Sequence, residues 1–430
     1  MLPILALLVI ESVLRVCGCA PPPDPAVLHA ASSVAGFDPF VEDGTGRVTI
    51  RPEWVARGNA LVVREGDRPG EFRLIPAFRE TEFRARKYER MRRVFVLGGS
   101  STFGLYVDRD ASYPSVLQQR FTGRSGEPSV EVVNLGCAGF ASDRCAELLT
   151  AVLAYEPDAI VVDCGHNEML ALAVEEPMPS PTVRAWRSRL AVSYLFGWLR
   201  AAWVGDANAT RLDSDRLGEL AIFDPSMIPE STRAAPSRES IAAAEETFRA
   251  SLRAIAAATA AKGVPCVFVL PAPNLFAPPY APAPVTGQAL TTEVVIPRVI
   301  EALRNGDVNA AIATADALLA QAPQHPVGHY LKGLAFADAG DANAARRELE
   351  LAVDFDARPH RITSGLASAM IDVARDAGVA VVDEREFLLR RVDRVAASEL
   401  FVDHCHPTAA GHRSIAAAID AVLSPLLETR

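Results

Sequence analysis

The residue types capable of chemistry gather in four short blocks. Gly98-Gly99-Ser100-Ser101-Thr102-Phe103-Gly104 follows directly on the apolar run Val94-Phe95-Val96-Leu97. A glycine pair behind a buried strand lets the backbone turn sharply and presents the next serine at the strand's carboxyl end, beside a helix N-terminus. The run has neither the lysine of a phosphate-binding loop nor the G-x-G-x-x-G spacing of a dinucleotide fold, so phosphate cradling is weakly supported. A plain Gly/Ser turn, with Ser101 or Thr102 capping a helix, is the structural alternative. Asn134-Leu135-Gly136-Cys137-Ala138-Gly139 and Cys164-Gly165-His166-Asn167-Glu168 close two further apolar runs, and Asp403-His404-Cys405-His406-Pro407 stands near the carboxyl terminus. The last block holds metal-ligand types. Adjacent side chains are expected to diverge, and no second ligand motif stands at useful spacing, so no metal is expected. Cys405 as a catalytic thiol lacks a base of its own and is expected to face away from its neighbour. Taken singly, Gly139 and Asn167 read as strand-end turn residues, and His412 as a solvated or capping residue of the final helix.

Positioning these blocks falls to five short β-branched runs: Arg93 to Leu97, Val130 to Leu135, Ala159 to Asp163, Pro265 to Leu270 and Val379 to Asp383. Each is too short and too apolar for a half-exposed hairpin strand, and helical stretches lie between them, which predicts buried parallel strands with crossover helices. Those helices include Ser115 to Arg120, Arg144 to Tyr155, Ser240 to Lys262 and Ser364 to Ala377. The expected fold is α/β, a three-layer α/β/α sandwich around a five-stranded parallel sheet, with chemistry at the strands' carboxyl ends.

Two stretches interrupt the alternation. Leu172 to Arg238 holds an aromatic-rich helix pattern (Trp186, Tyr194, Phe196, Trp198, Trp203) that suits a packing helix over the sheet edge, or a lid or membrane-facing surface. In the second, Asn305-Gly306-Asp307 recurs as Ala339-Gly340-Asp341 and Ala310-Ala311 as Ala344-Ala345, an offset of 34 residues, the period of the tetratricopeptide repeat. The helix pairs run Val299 to Arg304 with Asn309 to Gln321, then Val327 to Ala339 with Asn343 to Phe355. They amount to less than two full repeats, so this small all-α insert must lean on the core. The expected organisation is a signal or membrane-anchor segment at 1–20, an irregular extension at 21–92, the α/β domain at 93–296, the repeat insert at 297–356, and the rest of the α/β domain at 357–430.

A chain of 430 residues exceeds one usual core. Its net charge of -10 and lack of a dense Lys/Arg run argue against nucleic acid as a partner. Leu2 to Ile10 is apolar and ends toward helix breakers, as an address or anchor segment does, though it is shorter than the roughly twenty residues of a full span. Val16-Cys17-Gly18-Cys19 resembles a lipoprotein cleavage site; a buried N-terminal helix is the alternative. Of the seven cysteines, none forms a C-x-x-C pair. Cys137 and Cys145 are candidates for a bridge in an exported protein, and Cys164 and Cys266 read as small buried hydrophobes.

The four blocks together resemble the SGNH (GDSL-type) hydrolase superfamily, in the family's order, over roughly 93 to 290 and 357 to 430. The commonest first block has Asp where Gly99 stands, and the commonest third block has Asp where Glu168 stands. The resemblance implies Ser100 as nucleophile, His406 as the base that removes its proton and later protonates the leaving group, and Asp403 as the group that orients the imidazole. It also implies the N–H groups of Ser100 and Gly139 and the amide of Asn167 as oxyanion donors. No metal or organic cofactor is called for. The expected activity is a bacterial, exported or membrane-anchored serine esterase on an acyl ester, with a small-molecule or glycan ester as substrate, an O-acetyl group on a glycan or a lipid-derived ester being the candidates. A protein partner at the insert and membrane association through the N-terminus are further expectations. The alternatives are acyl transfer to a glycan hydroxyl from the same site, and a non-catalytic scaffold whose insert binds a partner.

Overall fold

A computed structural model of the chain describes residues 39–50, 58–62, 73–76, 78–123, 129–170, 236–282 and 290–428. The expected anchor segment at 1–20 and nearly all of the aromatic-rich stretch from Leu172, with Trp186 through Trp203, lie outside these residues. Among the described residues no helix is long and apolar enough to cross a membrane. The chain divides into two compact units.

The described part of the first unit runs to Arg86 and includes Glu147–Tyr155. Strands β1 (Phe40–Glu42), β2 (Arg47–Ile50), β3 (Gly58–Val62), β4 (Arg73–Pro76) and β5 (Glu82–Arg84) pair as an antiparallel β1-β2-β5 sheet and an antiparallel β3-β4 ribbon. This corrects the expectation of an irregular extension. Strands of three to five residues are too short to show the alternation that periodicity detects. Phe40, Phe83 and Tyr155 meet edge to face at ring separations of 5.1–5.5 Å, and Phe40 and Phe83 are buried.

The second unit holds β6 (Arg92–Gly98), α1 (Ser100–Phe103), α2 (Tyr113–Thr122), β7 (Val130–Gly136), the start of α3 (Ser142–Val152), β8 (Ala159–Asp163), α4 (Arg238–Ala261) and β9 (Cys266–Leu270). It continues with α5 (Thr292–Arg304), α6 (Val308–Gln321), α7 (Pro326–Asp338), α8 (Ala342–Asp354), α9 (Ser364–Ala377), β10 (Ala380–Asp383), α10 (Arg385–Leu388), α11 (Arg394–Leu400) and α12 (Ala409–Glu428). The five expected strands form one parallel sheet in the order β10-β9-β8-β6-β7. Side chains alternate across it: Val94, Val96, Val161, Val267 and Val269 join Leu117, Phe121, Ile415, Ile419 and Leu423 of α2 and α12 in one core. The intervening residues, among them Phe95, Leu97, Val162 and Phe268, are equally buried, and α4 and α9 pack on each other and on β9. Strand order reverses at β6, with β7 on one side and β8 on the other. The loops leaving these three strands therefore open onto a common crevice at their carboxyl ends.

Helices α5 to α8 pack in sequence, each on the next. The 34-residue offset has a local cause: Gly306 and Gly340 take left-handed φ values of 71° and 78°, and Asp307 and Asp341 then cap α6 and α8 by accepting from the N–H of Ala310 and Ala344. Helix α5 starts at Thr292 and carries Pro297 in its interior, earlier than the expected start at Val299. The insert shares one apolar cluster with the sheet, and the Tyr330 hydroxyl donates to the carbonyl of Phe276 at 2.8 Å.

Where the chain leaves the insert, the buried Arg361 guanidinium binds Asp356 at 2.9 Å and the carbonyls of Asn274 and Ala277. The other Asp356 oxygen accepts from the N–H groups of Tyr280 and Arg358. Removing one charge strands the other without water, so Asp356→Ala is expected to cost about 3–5 kcal/mol. Urea unfolding measures this; a loss below about 1 kcal/mol contradicts the assignment.

Candidate active site

Ser100 stands on the turn between β6 and α1, where glycines allow backbones to touch. A Cβ on Gly98 would overlap the Thr102 hydroxyl and the carbonyl of Asp163, and one on Gly136 would overlap the backbone of Phe103. The turn is tied to the next strand as well: Cys137 N–H donates to the Gly98 carbonyl at 3.0 Å, and the Asn134 amide to the Thr102 carbonyl at 2.9 Å. The serine is thus set by two neighbouring strand ends and not by its own loop alone.

The imidazole arrives from the other end of the chain. His406 Nε2 lies 2.6 Å from Ser100 Oγ, and His406 Nδ1 lies 2.6 Å from Asp403 Oδ2. With Nδ1–H donating to the carboxylate, Nε2 is left to accept from the serine hydroxyl. Asp403 Oδ1 accepts from the N–H groups of Cys405 and His406, so the carboxylate folds its own loop. Phe401 and Pro407 close that loop in an antiparallel bridge. From the segment after β9, the Asn274 amide donates to the Asp403 carbonyl and the Asn274 N–H to that of His404, both at 2.9 Å. Burial pushes the Asp403 carboxyl up, but the His406 and His404 rings and the loop N–H groups hold it well below the carboxylate range. Burial depresses His406, yet Asp403 outweighs it, and the imidazole sits well above its usual range. This arrangement can take a proton from the serine and stabilise the imidazolium that results.

The remaining candidates converge on the same crevice. Gly139 has φ +79°, a conformation favourable to glycine. Asn167 donates one amide hydrogen to the carbonyl of Phe140 at 2.9 Å, which leaves its second N–H. The two departures from the commonest blocks have local accounts. A Cβ on Gly99 would stand 2.7 Å from the Asn167 amide nitrogen and 3.2 Å from the Phe140 carbonyl, so the usual Asp would require the Asn167 side chain to shift. Glu168, one carbon longer than Asp, reaches the first residue of α3, where it accepts from the Ser142 N–H and hydroxyl at 2.9 and 2.8 Å. His166 accepts from the Ile362 N–H through Nδ1, and burial, reinforced by His406, lowers it to about 3.

Several expectations need correction. His412 is not solvated: it is fully buried, its Nδ1 accepts from the Tyr113 N–H, and its ring stacks on Tyr113, because its face of α12 turns toward α2. Cys405 does not face away; its sulfur lies 3.7 Å from His406 Nδ1. Nor do the neighbouring groups diverge, since ligand atoms of Asp403, His404 and Cys405 lie within 4.8 Å of one another. The loop curls around the Asp403 carboxylate, which brings them together. Asp403 Oδ2 is the partner of His406 Nδ1, so a cation held there would compete with the imidazole for that oxygen. Cys137 and Cys145 are buried and not bridged to each other, and Cys164 and Cys266 are buried as expected.

One group was missed altogether. Asp163, at the end of β8 and 3% exposed, accepts from Thr102 Oγ1 and Tyr113 Oη at 3.1 Å each, and these hydroxyls lie 2.8 Å apart. Thr102 is in the serine's helix, so this buried triangle anchors α1. Glu384, after β10, is also buried and accepts from the Ala272 N–H. Burial raises Asp163 to about 6 and, with the nearby Asp163 charge, raises Glu384 well above its usual value. An acid closing an apolar run was the available signal.

Residues 96–290 match the family described as GDSL-like lipase/acylhydrolase, which supports a carboxylic ester hydrolase. No curated protein matches the chain. Among solved structures, the chain is similar to LAE5, an alpha/beta hydrolase enzyme from the metagenome of Lake Arreo, Spain, at 14% identity and TM-score 0.36, covering 78% of this chain and 96% of that one. It is similar to Axe2, an acetylxylan esterase from Geobacillus stearothermophilus, at 12% identity and TM-score 0.32, covering 77% and 93%. For a lipase/acylhydrolase from Enterococcus faecalis the values are 11%, 0.31, 78% and 96%.

The raised Asp163 acid makes a linkage prediction. Its folded value lies above the unfolded one, so the folded state holds the proton longer, and stability present at low pH is lost as pH rises from about 4 through 6. Asp163→Asn removes this loss. Urea unfolding at pH 4 and pH 7 is expected to show the variant gaining on the parent as pH rises, and the opposite trend contradicts the burial argument.

Proposed function

We propose that this chain, which carries a GDSL-like lipase/acylhydrolase domain at residues 96–290, is a serine esterase that cleaves an acyl ester through an acyl-enzyme on Ser100. The observation that carries the reading is the unbroken relay from Asp403 Oδ2 through His406 to Ser100 Oγ, with 2.6 Å at each junction. In acylation His406 takes the hydroxyl proton as Oγ attacks the ester carbonyl, then returns it to the leaving alcohol. Water repeats the sequence in deacylation, with His406 again as the base. Asp403 keeps its charge throughout and steadies the imidazolium. The N–H groups of Ser100 and Gly139 and the free amide N–H of Asn167 are assigned to the oxyanion.

O-acetyl esters of glycans are the first substrates to test; a glycan hydroxyl in place of water would make the same site a transferase. With one acetyl donor, free acetate and acetylated glycan distinguish the two. A fluorophosphonate probe tests the chemistry directly. Labelling is expected on Ser100 and absent in Ser100→Ala, and esterase turnover is expected to fall about ten-thousand-fold in His406→Ala and in Asp403→Asn. No labelling of the parent protein, with stable capture of a partner through residues 297–356, would leave the non-catalytic scaffold as the better account, and labelling that persists in Ser100→Ala would put the nucleophile at another residue. Asn167→Ala is expected to lose about a hundred- to thousand-fold in kcat with the probe site retained.

The pH profile carries a second test. The base works only when neutral, and Asp403 holds the His406 imidazolium to higher pH, so kcat/KM is expected to rise through a value above the ordinary imidazole range. Asp403→Asn takes that support away and is expected to move this limb downward; an upward shift contradicts the assignment.

A further inference from the structure

Two hydrogen bonds hold the His406 ring, one at each nitrogen. They fix its two nitrogens, and the tilt that its Cα–Cβ and Cβ–Cγ torsions still allow is limited by the groups packed on its faces. Once Ser100 is acylated, its hydroxyl no longer holds Nε2, and of the two hydrogen bonds only that at Nδ1 remains. What flanks the ring therefore matters most in deacylation. Tyr106 stands against it at a ring separation of 5.3 Å and 77° between planes, and His404 at 5.7 Å and 80°.

The backbone of Tyr106 points to selection for that contact. Gly104 ends α1, and the Val107 N–H donates back to the Gly104 carbonyl at 3.3 Å, closing a turn around Leu105 and Tyr106. Tyr106 has φ +66°. In the second central position of such a turn, positive φ belongs to glycine or asparagine, because a Cβ there is strained. Among the described residues, Arg90 and Glu156 are the other non-glycine residues with positive φ, and both are exposed polar side chains. Tyr106 is instead partly buried, its ring turned in against the imidazole.

We propose that Tyr106 is a positioning residue for His406, held in a strained turn so that its ring keeps the imidazole aimed while the acyl-enzyme awaits water. The inference rests on the esterase reading above. Acylation, with the serine bond intact, needs the flanking ring less than deacylation does.

The experiment combines pre-steady-state hydrolysis of a chromogenic acetate ester, fluorophosphonate inactivation rates and thermal melting for three variants. Tyr106→Leu keeps bulk and strain but loses the ring. It is expected to lower kcat about tenfold with KM unchanged or lower, to show a burst of the alcohol product, and to be phosphonylated within about threefold of the parent rate. Tyr106→Phe restores parent kcat. Tyr106→Gly loses the ring and relieves the strain, so it shares the kcat loss of Tyr106→Leu while melting higher than that variant. Parent kcat in Tyr106→Leu, a glycine variant melting below the leucine variant, or phosphonylation slowed as much as turnover would overturn the proposal. A parent protein that neither turns over the ester nor takes the probe sinks the esterase reading itself, so the two failures are distinct.

Discussion

A carboxylate taken out of water must have its lone pairs filled, and Asp403 meets that demand almost entirely within its own loop. Oδ1 gathers the N–H groups of Cys405 and His406, which forces the chain to double back within three residues. Oδ2 then takes the imidazole of His406 at 2.6 Å, with His404 Nδ1 farther off at 3.8 Å. The aim of the base is therefore a consequence of satisfying a buried charge. Asn274, contributed by the segment after β9, clamps the same loop through two backbone carbonyls, so the base is referenced to the sheet as well as to its own turn.

The serine is referenced to the sheet by a different device, the absence of side chains. Gly98, Gly99 and Gly136 sit where a Cβ would strike a neighbouring strand end, helix or amide. Removing those carbons lets three strand ends meet at the point where strand order reverses. The buried Asp163–Thr102–Tyr113 triangle adds polar fixation from beneath, and Tyr113 in turn stacks on His412 of α12, the helix that follows the His406 loop. Serine and base are thus joined below as well as across the crevice. Such a network is stiff because each member is enclosed, and its acid carries the cost of burial as a raised proton affinity.

The helices between β9 and β10 lean on the sheet. Their inner faces continue the apolar cluster of the sheet, and the exit from α8 is fastened by the Arg361–Asp356 pair next to the loop that holds Asn274. The insert therefore touches the segment supporting the base without supplying a group to the serine. Its local geometry follows from a repeated Gly-Asp pair, the glycine ending one helix and the carboxylate starting the next.

From the sequence alone, the five strands of the sheet and the helices α2, α4 and α9 were legible to within a few residues, because long buried runs separated by helical periods announce themselves through composition. The four blocks were legible as well, each being a strand end or loop with unusual residue types. Contacts across the chain were not. No local pattern distinguishes a buried His412 from a solvated one, tells Asp163 from an exposed strand-end acid, or shows that Tyr106 occupies a glycine's conformation. The short strands of residues 40–84 were hidden for a related reason, since three to five residues cannot display a period. Sequence carries what depends on neighbours within a turn or two. Burial, proton affinity and the meeting of Ser100 with His406 depend on which distant surfaces exclude water together, and only the folded chain decides that.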